Sequence, residues 1–250
     1  MYQVRGKWAL ITGAARGIGC LTARYLADLG CNLILHSRDL SHTEKVLGEV
    51  RAKGVSAEAV AADLNDLSAV RRMLAEIDRL GVDVEIVLNN AGLQVAYRTD
   101  YLATPPEDYL VSFNVNTIAP AMIMYHFLPG MIRRGTGRIL NTTSGIRLEP
   151  QQAGYSASKA ALDKITIDLG STVQGTDVMI NLTDPGWCRT DLGGPHAPNA
   201  PESAIPGILA GVFADDKRSG RYLGAQNLAG MTPEEMVRKT EAEFFSPYGE

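Results

Sequence analysis

The sequence predicts a single doubly wound α/β domain, about seven parallel strands with helices on both faces, and three observations carry this. Short apolar runs bounded by glycine or polar turn residues recur along the chain, separated by segments with helical patterning. The first run, Trp8 to Thr12, passes through a glycine-rich turn into a helical segment. No shift in composition and no internal repeat divides residues 1–250, a length that suits one large domain.

Trp8 to Thr12 is apolar without alternation, as a strand buried on both faces should be. Gly13-Ala-Ala-Arg16-Gly17-Ile18-Gly19 follows, and then a helix predicted over 20–29 that Gly30 stops. Strand, glycine turn and helix together make a phosphate site. The glycines let backbone approach a pyrophosphate, and the helix N-terminus offers free N–H groups and the positive end of its dipole. Asn32 to His36 reads as the second strand and ends in Ser37-Arg38-Asp39, where an adenosine ribose would lie. Ser37, Arg38 and Arg16 of the turn suit a 2′-phosphate through charge-assisted bonds. Asp39 stands one residue further on and would suit a free ribose hydroxyl instead. The cofactor expected is therefore NADP(H) rather than NAD(H).

Ser41 to Lys53 reads as a polar-faced helix and Ala57 to Ala61 as the third strand, closing on Asp63-Leu64. Asp63 is either the cap of a helix over 67–80 or an acceptor for an adenine amino group. Glu85 to Leu88 is the fourth strand. Asn89-Asn90-Ala91-Gly92 follows it, small enough to pack beside a flat ring or a ribose. Residues 105–134 form a long, broken helical region that holds Asn114 and Asn116, and a buried Asn needs a partner network. Gly137 to Thr143, Val178 to Leu182 and Gly220 to Leu223 are the remaining strands. A ligand should lie beyond the carboxyl ends, where Gly13, Ser37, Asp63, Asn90, Ser144 and Pro185 fall.

Tyr155 and Lys159 stand at the start of a helix-like run from Ala157 to Val173, four residues apart and so on one helical face. A phenol is a poor base at neutral pH, and a neighbouring ammonium lowers its pKa. Such a pair can move a proton onto or off an alcohol oxygen.

Composition removes other classes. A net charge of −4 without long basic runs argues against a nucleic-acid binder, and no apolar stretch approaches membrane-spanning length. The start of the chain has no secretory pattern, so a soluble cytoplasmic protein is expected. Cys20, Cys31 and Cys188 have no ligand spacing and read as buried free thiols. His36, His42, His126 and His196 read as satisfied core or surface histidines, with no metal site.

These stretches together resemble the short-chain dehydrogenase/reductase family over nearly the whole chain. The resemblance rests on the glycine turn from Thr12 to Gly19, Asp63-Leu64, Asn89 to Gly92, Asn116, Ser144, Tyr155 with Lys159, and Pro185-Gly186 with Thr190. It implies a Rossmann-type fold and hydride transfer between a nicotinamide cofactor and a small carbonyl or alcohol. Tyr155 would be the general acid or base, with Lys159 lowering its pKa and holding the nicotinamide ribose. Ser144 would bond the substrate oxygen, with Thr142 and Thr143 as competing hydroxyls. Asn116 would anchor a water leading to Lys159. Gly13, Arg16, Gly17, Ile18, Gly19, Ser37, Arg38, Asp63, Leu64, Asn90, Ala91, Gly92, Pro185, Gly186 and Thr190 would line the cofactor.

Ile146 to Gln152 would wall the substrate site, with Tyr97, Arg98, Arg147 and Trp187 near it. A mobile lid is expected over about 190–215, where Pro195 to Pro206 is rich in Pro, Ala and Asn. The helices after Pro105 and Tyr155 would pair across a two-fold axis, giving a dimer or tetramer. The aromatic segment Phe244 to Tyr248 could close over a site or a neighbour. Two other readings stand beside the leading one: an NAD(H)-preferring alcohol dehydrogenase, and a non-catalytic nucleotide sensor on the same fold.

Overall fold

The computed structural model describes residues 1–243, so the aromatic segment Phe244 to Tyr248 lies outside the described residues. Among the described residues seven strands make one sheet, in order β3-β2-β1-β4-β5-β6-β7 and parallel throughout. They are β1 (Trp8–Ile11), β2 (Asn32–Ser37), β3 (Ala57–Ala61), β4 (Val84–Asn89), β5 (Gly137–Thr142), β6 (Val178–Asp184) and β7 (Tyr222–Gly224). The order reverses at β1, beside β4, and that switch point opens the ligand crevice at the carboxyl edge.

Alternation along each strand divides the core in two. Ala9, Ile11, Leu33 and Leu35 face one layer, with α1 (Gly17–Asp28), α2 (Glu44–Arg51), α7 (Ala210–Phe213) and α8 (Pro233–Ala242) against it. Leu10, Ile34, Val87 and Ile139 face the other, against α3 (Leu67–Arg79), α5 (Ala119–Arg134) and α6 (Ala153–Thr172). α4 (Pro106–Phe113) leads toward α5. Both layers are apolar, which is why β1 carries no polar-out alternation.

Three boundaries differ from expectation. α1 starts at Gly17 rather than Cys20, so that Ile18 and Gly19 already belong to its first turn. α6 starts at Ala153, which brings Tyr155 inside its first turn. The break predicted in residues 105–134 is a single π-turn over Asn114–Ile118, and α8 was not foreseen. A π-turn inserts one residue into the helical path and so changes which side chains face inward. Here it leaves Asn116 fully buried while Asn114 bonds Asn65 on the outside. The three cysteines are buried free thiols. Among the described residues no helix is long and apolar enough to cross a membrane.

Candidate active site

The half of the crevice over β1 and β2 is built from backbone. Gly13 has φ +67°, a conformation that favours glycine. A Cβ on Gly19 would stand 2.2 Å from the Gly13 carbonyl oxygen and 2.6 Å from Asn90 Nδ2, so the first turn of α1 admits no side chain there. Asn90 Nδ2 donates to the Thr12 carbonyl at 3.0 Å, and the Ala91 N–H donates to Thr12 Oγ1 at 3.0 Å. The end of β4 is thereby tied to the glycine turn through the carbonyl and the hydroxyl of Thr12.

His36 supports this turn from below. The Gly13 N–H donates to its Nδ1 at 3.3 Å, and Nε2 lies 3.0 Å from the Ala62 carbonyl. A carbonyl only accepts, so Nε2 carries the proton and the ring is neutral. Burial, partly offset by the bond to Ala62, drives its pKa down to about 4.

The side chains of Ile18 and Leu64 are buried in the core, so only their backbones can face a ligand. The Ser37 hydroxyl donates to the Asp39 carbonyl. The Asp39 carboxylate accepts from the Ser41 N–H at 2.9 Å and its hydroxyl at 2.7 Å, and so caps its own short helical turn. Arg38 is exposed, and Arg16 pairs with Asp191 at 2.7 Å. Asp63 accepts from the Asn65 N–H at 2.9 Å, while the cap of α3 is Asp66. Asp63 is therefore free of the capping role it might have filled.

The half over β5 and α6 is built from buried side chains. Tyr155 is 8% exposed, Lys159 3% and Asn116 0%. The Ser144 side chain acts on the Tyr155 phenol and opposes the rise that burial gives its pKa. Thr143 Oγ1 donates instead to Asp163, which removes it as a rival to Ser144, and Thr142 contributes its carbonyl rather than its hydroxyl. A Cβ on Gly92 would lie 3.7 Å from both Lys159 Nζ and Asn116 Oδ1, so these two groups flank the end of the β4 loop.

Three of the expected site residues hold contacts of their own. Lys159 Nζ donates to the Thr142 carbonyl at 2.6 Å and sits 5.9 Å from the Tyr155 ring centroid. The phenol's pKa stands above its ordinary value. Burial raises that pKa, Ser144 offsets part of the rise, and the Asp184 charge adds to it. Burial also lowers the Lys159 pKa to about 8, against the pull of Asp163 and Asp184. Second, the Asn116 side chain is already committed. Oδ1 accepts from the Leu93 N–H at 2.8 Å, and Nδ2 donates to the Leu93 carbonyl at 2.8 Å and Ser158 Oγ at 3.0 Å. Third, Arg98 forks onto Asp108 at 2.8 and 3.0 Å, which makes it a brace between the 93–100 loop and α4 rather than a free substrate contact.

Beyond β6, Gly186 takes φ +74° and donates its N–H to Asp184 Oδ1 at 2.8 Å, and the Pro185 carbonyl accepts from Gln226 Nε2 at 2.8 Å. Thr190 comes back to the glycine turn, with Cγ2 3.3 Å from a Cβ placed on Gly17. The segment from Trp187 to Asn199 closes on itself through Arg189, whose guanidinium donates to the Ala197 and Pro198 carbonyls. The lid range narrows accordingly. Ala204 and the stretch from Ile208 to Ala214 are buried in the core and cannot move as a flap. Trp187 and Leu148 remain exposed at the mouth, as does Arg147. Asp163, Asp184 and Tyr222 complete the surroundings of Lys159, and of these only Asp163 carried a signal in sequence, its i+4 spacing from Lys159.

A family model described as short chain dehydrogenase matches residues 7–200. A short chain dehydrogenase of Pseudocercospora fijiensis is 29% identical over 77% of this chain, a match that spans 63% of that protein's length. Oxidoreductase UcpA of Salmonella typhimurium is 33% identical, with 91% of this chain and 94% of that one aligned. Among solved structures, a metagenomic short-chain oxidoreductase in complex with NADP superposes with a TM-score of 0.68 at 30% identity, over 76% of this chain and 87% of that one.

Proposed function

Because this chain belongs to the short-chain dehydrogenase family, and is thereby an oxidoreductase, we propose that it interconverts a small ketone or aldehyde and its alcohol with NADP(H), using Tyr155 as general acid and base. The observation that carries this reading is that Tyr155 and Lys159 stand buried one helical turn apart on α6, at the carboxyl edge of the sheet, with the Ser144 side chain acting on the phenol. A substrate oxygen placed between the Ser144 and Tyr155 hydroxyls meets two donors where negative charge develops. Tyr155 gives the proton in reduction and takes it back in oxidation. A phenol held protonated by burial is in the form that reduction needs.

The residues fit the cofactor by their own chemistry. The first turn of α1 packs against the Gly13 carbonyl too closely for a side chain at Gly19, which leaves it as bare backbone, and free N–H groups at a helix start suit a pyrophosphate. Gly13, Gly17, Asn90, Ala91 and Gly92 would line it, with Pro185, Gly186 and Thr190 at the nicotinamide end. A nicotinamide cofactor supplies or accepts the hydride when bound. NADP(H) over NAD(H) is favoured by Arg16, Arg38 and Ser37 beside the expected ribose, and by the engagement of Asp39 as a cap. The solved relative in complex with NADP is consistent with it. Lys159 would hold the ribose, and Asn116 would fix the loop that frames it.

Exposed Ile118, Tyr125 and Ile132 along α5 support pairing of that helix with a second copy, whereas Ile123, Met124 and Leu162 are spent on the core. Tyr155→Phe tests the chemistry. It should lower turnover by roughly 10²–10⁴-fold with NADPH binding, read by fluorescence titration, nearly unchanged. Retained turnover would remove Tyr155 from the mechanism. NADPH binding without turnover of any ketone, aldehyde or alcohol in a panel would favour the nucleotide-sensing reading.

A further inference from the structure

Lys159 is a buried cation, and the structure gives it an unusual setting. Its Nζ donates to the Thr142 carbonyl, and among the described residues it makes no direct ion pair. Asp163 lies one turn further along the same face of α6 and accepts from Thr143 Oγ1. Adjacent residues at the end of β5 thus hold amine and carboxylate separately. The amine is held by a carbonyl and the carboxylate by a hydroxyl, one helical turn apart.

The other ionisable groups around the pair are accounted for. Tyr155 shares α6 and presents its ring to Lys159. Asp184, at the end of β6, acts on Lys159, Asp163 and Tyr155, but both of its oxygens are taken, by the Gly186 N–H and by the Tyr222 hydroxyl. Tyr222, on β7, also feels Asp163 and is pulled the other way by Arg147. Asp163 alone combines proximity along α6 with a carboxylate that a single hydroxyl orients.

We propose that Asp163 is a positioning residue of the reaction: fixed by Thr143, its negative charge holds the Lys159 amine in its ammonium form inside the buried site and thereby sets the alkaline limit of turnover. This rests on the reading of Tyr155 and Lys159 as the proton-transfer pair. The energetics agree with the geometry. Burial is the main force acting on both groups, lowering the amine to about 8 and raising the acid to about 6, and each is opposed by the charge of the other. Both are charged together between those values. Above that range Lys159 loses its proton and the positive charge beside Tyr155 disappears.

The test is a titration of cofactor-free protein labelled with 13C at the lysine ε-carbons, followed by NMR at Lys159. The wild-type signal should step twice, near pH 6 as Asp163 ionises and near pH 8 as the amine discharges. A single step would overturn the proposal without any variant. Asp163→Asn keeps an acceptor for Thr143 and removes the charge, so the amine midpoint should fall by about one pH unit. The alkaline limb of kcat should move by the same amount, costing about tenfold in rate on that limb and less near pH 6.5. Asp163→Glu should restore much of the shift. An unmoved amine midpoint in Asp163→Asn overturns the proposal. If Tyr155→Phe retained turnover, the parent reading would fall instead, a result the amine titration cannot produce.

Discussion

The two halves of the crevice solve different problems. Over β1 and β2 the working groups are main-chain N–H donors and solvent-exposed guanidiniums, held by glycines and by one neutral histidine. Over β5 and α6 they are side chains taken out of water, whose charge is set by what surrounds them. A dinucleotide brings its own charge and needs only a fitted cradle. A proton transfer needs groups whose affinities for the proton have been moved, and only burial beside other charges moves them far.

The comparison can be broken most directly at Gly19. If the first half works through backbone, Gly19→Ala should be the most damaging small change there, since its methyl would overlap the Gly13 carbonyl. Overpacking against main chain should cost about 3 kcal/mol, seen as about a hundredfold loss of NADPH affinity and a lowered Tm. Wild-type affinity in that variant would mean the cradle lies elsewhere.

Acid titration sharpens the contrast by giving the halves opposite signs. His36 has a folded pKa near 4, below its ordinary 6.5, so the unfolded chain binds its proton first as pH falls. Its contribution to stability is present above about 6.5 and is lost between there and about 4. Asp163 has a folded pKa near 6, above its ordinary 3.8, so folding retains a proton that the unfolded chain releases. Its contribution is present below about 3.8 and is lost as pH rises toward 6. Each amounts to about 3 kcal/mol, and between pH 4 and 6 they oppose one another. Urea midpoints of the wild type should vary little over that range from these two groups. They should fall with rising pH in His36→Gln and rise with it in Asp163→Asn. Parallel curves for the two variants would end the distinction.

The smallest effect concerns cofactor choice. Arg38 is exposed, so its charge acts through water and cannot contribute as a buried group would. Arg38→Asp should shift the ratio of kcat/KM for NADPH over NADH about tenfold toward NADH. An unchanged ratio would assign the 2′-phosphate to Arg16 once its pairing with Asp191 is exchanged.

The strand pattern and the glycine spacing were legible in the chain, because each depends on local periodicity or on a residue type that geometry leaves little choice about, and Ser144, Tyr155 and Lys159 were singled out by the resemblance that these stretches carry together. Lengths were less so. The π-turn at Asn114–Ile118 looks like a break in sequence, since an extra residue in a helix leaves no composition mark, yet it turns Asn116 inward. Pro and Ala richness read as a lid across residues that in fact fill the core from Ile208 to Ala214.

By itself the sequence determined the alternation of strands and helices and the crevice at the sheet's carboxyl edge, which follow from short-range pattern, while the candidate reacting side chains came from the resemblance along the chain. The tertiary structure alone decided their charge. Lys159 donates a hydrogen bond to the Thr142 carbonyl, and Asp163 and Asp184 arrive from α6 and β6 to set the field around it. Desolvation depends on what is packed around a group from every side, and no spacing along one chain records that.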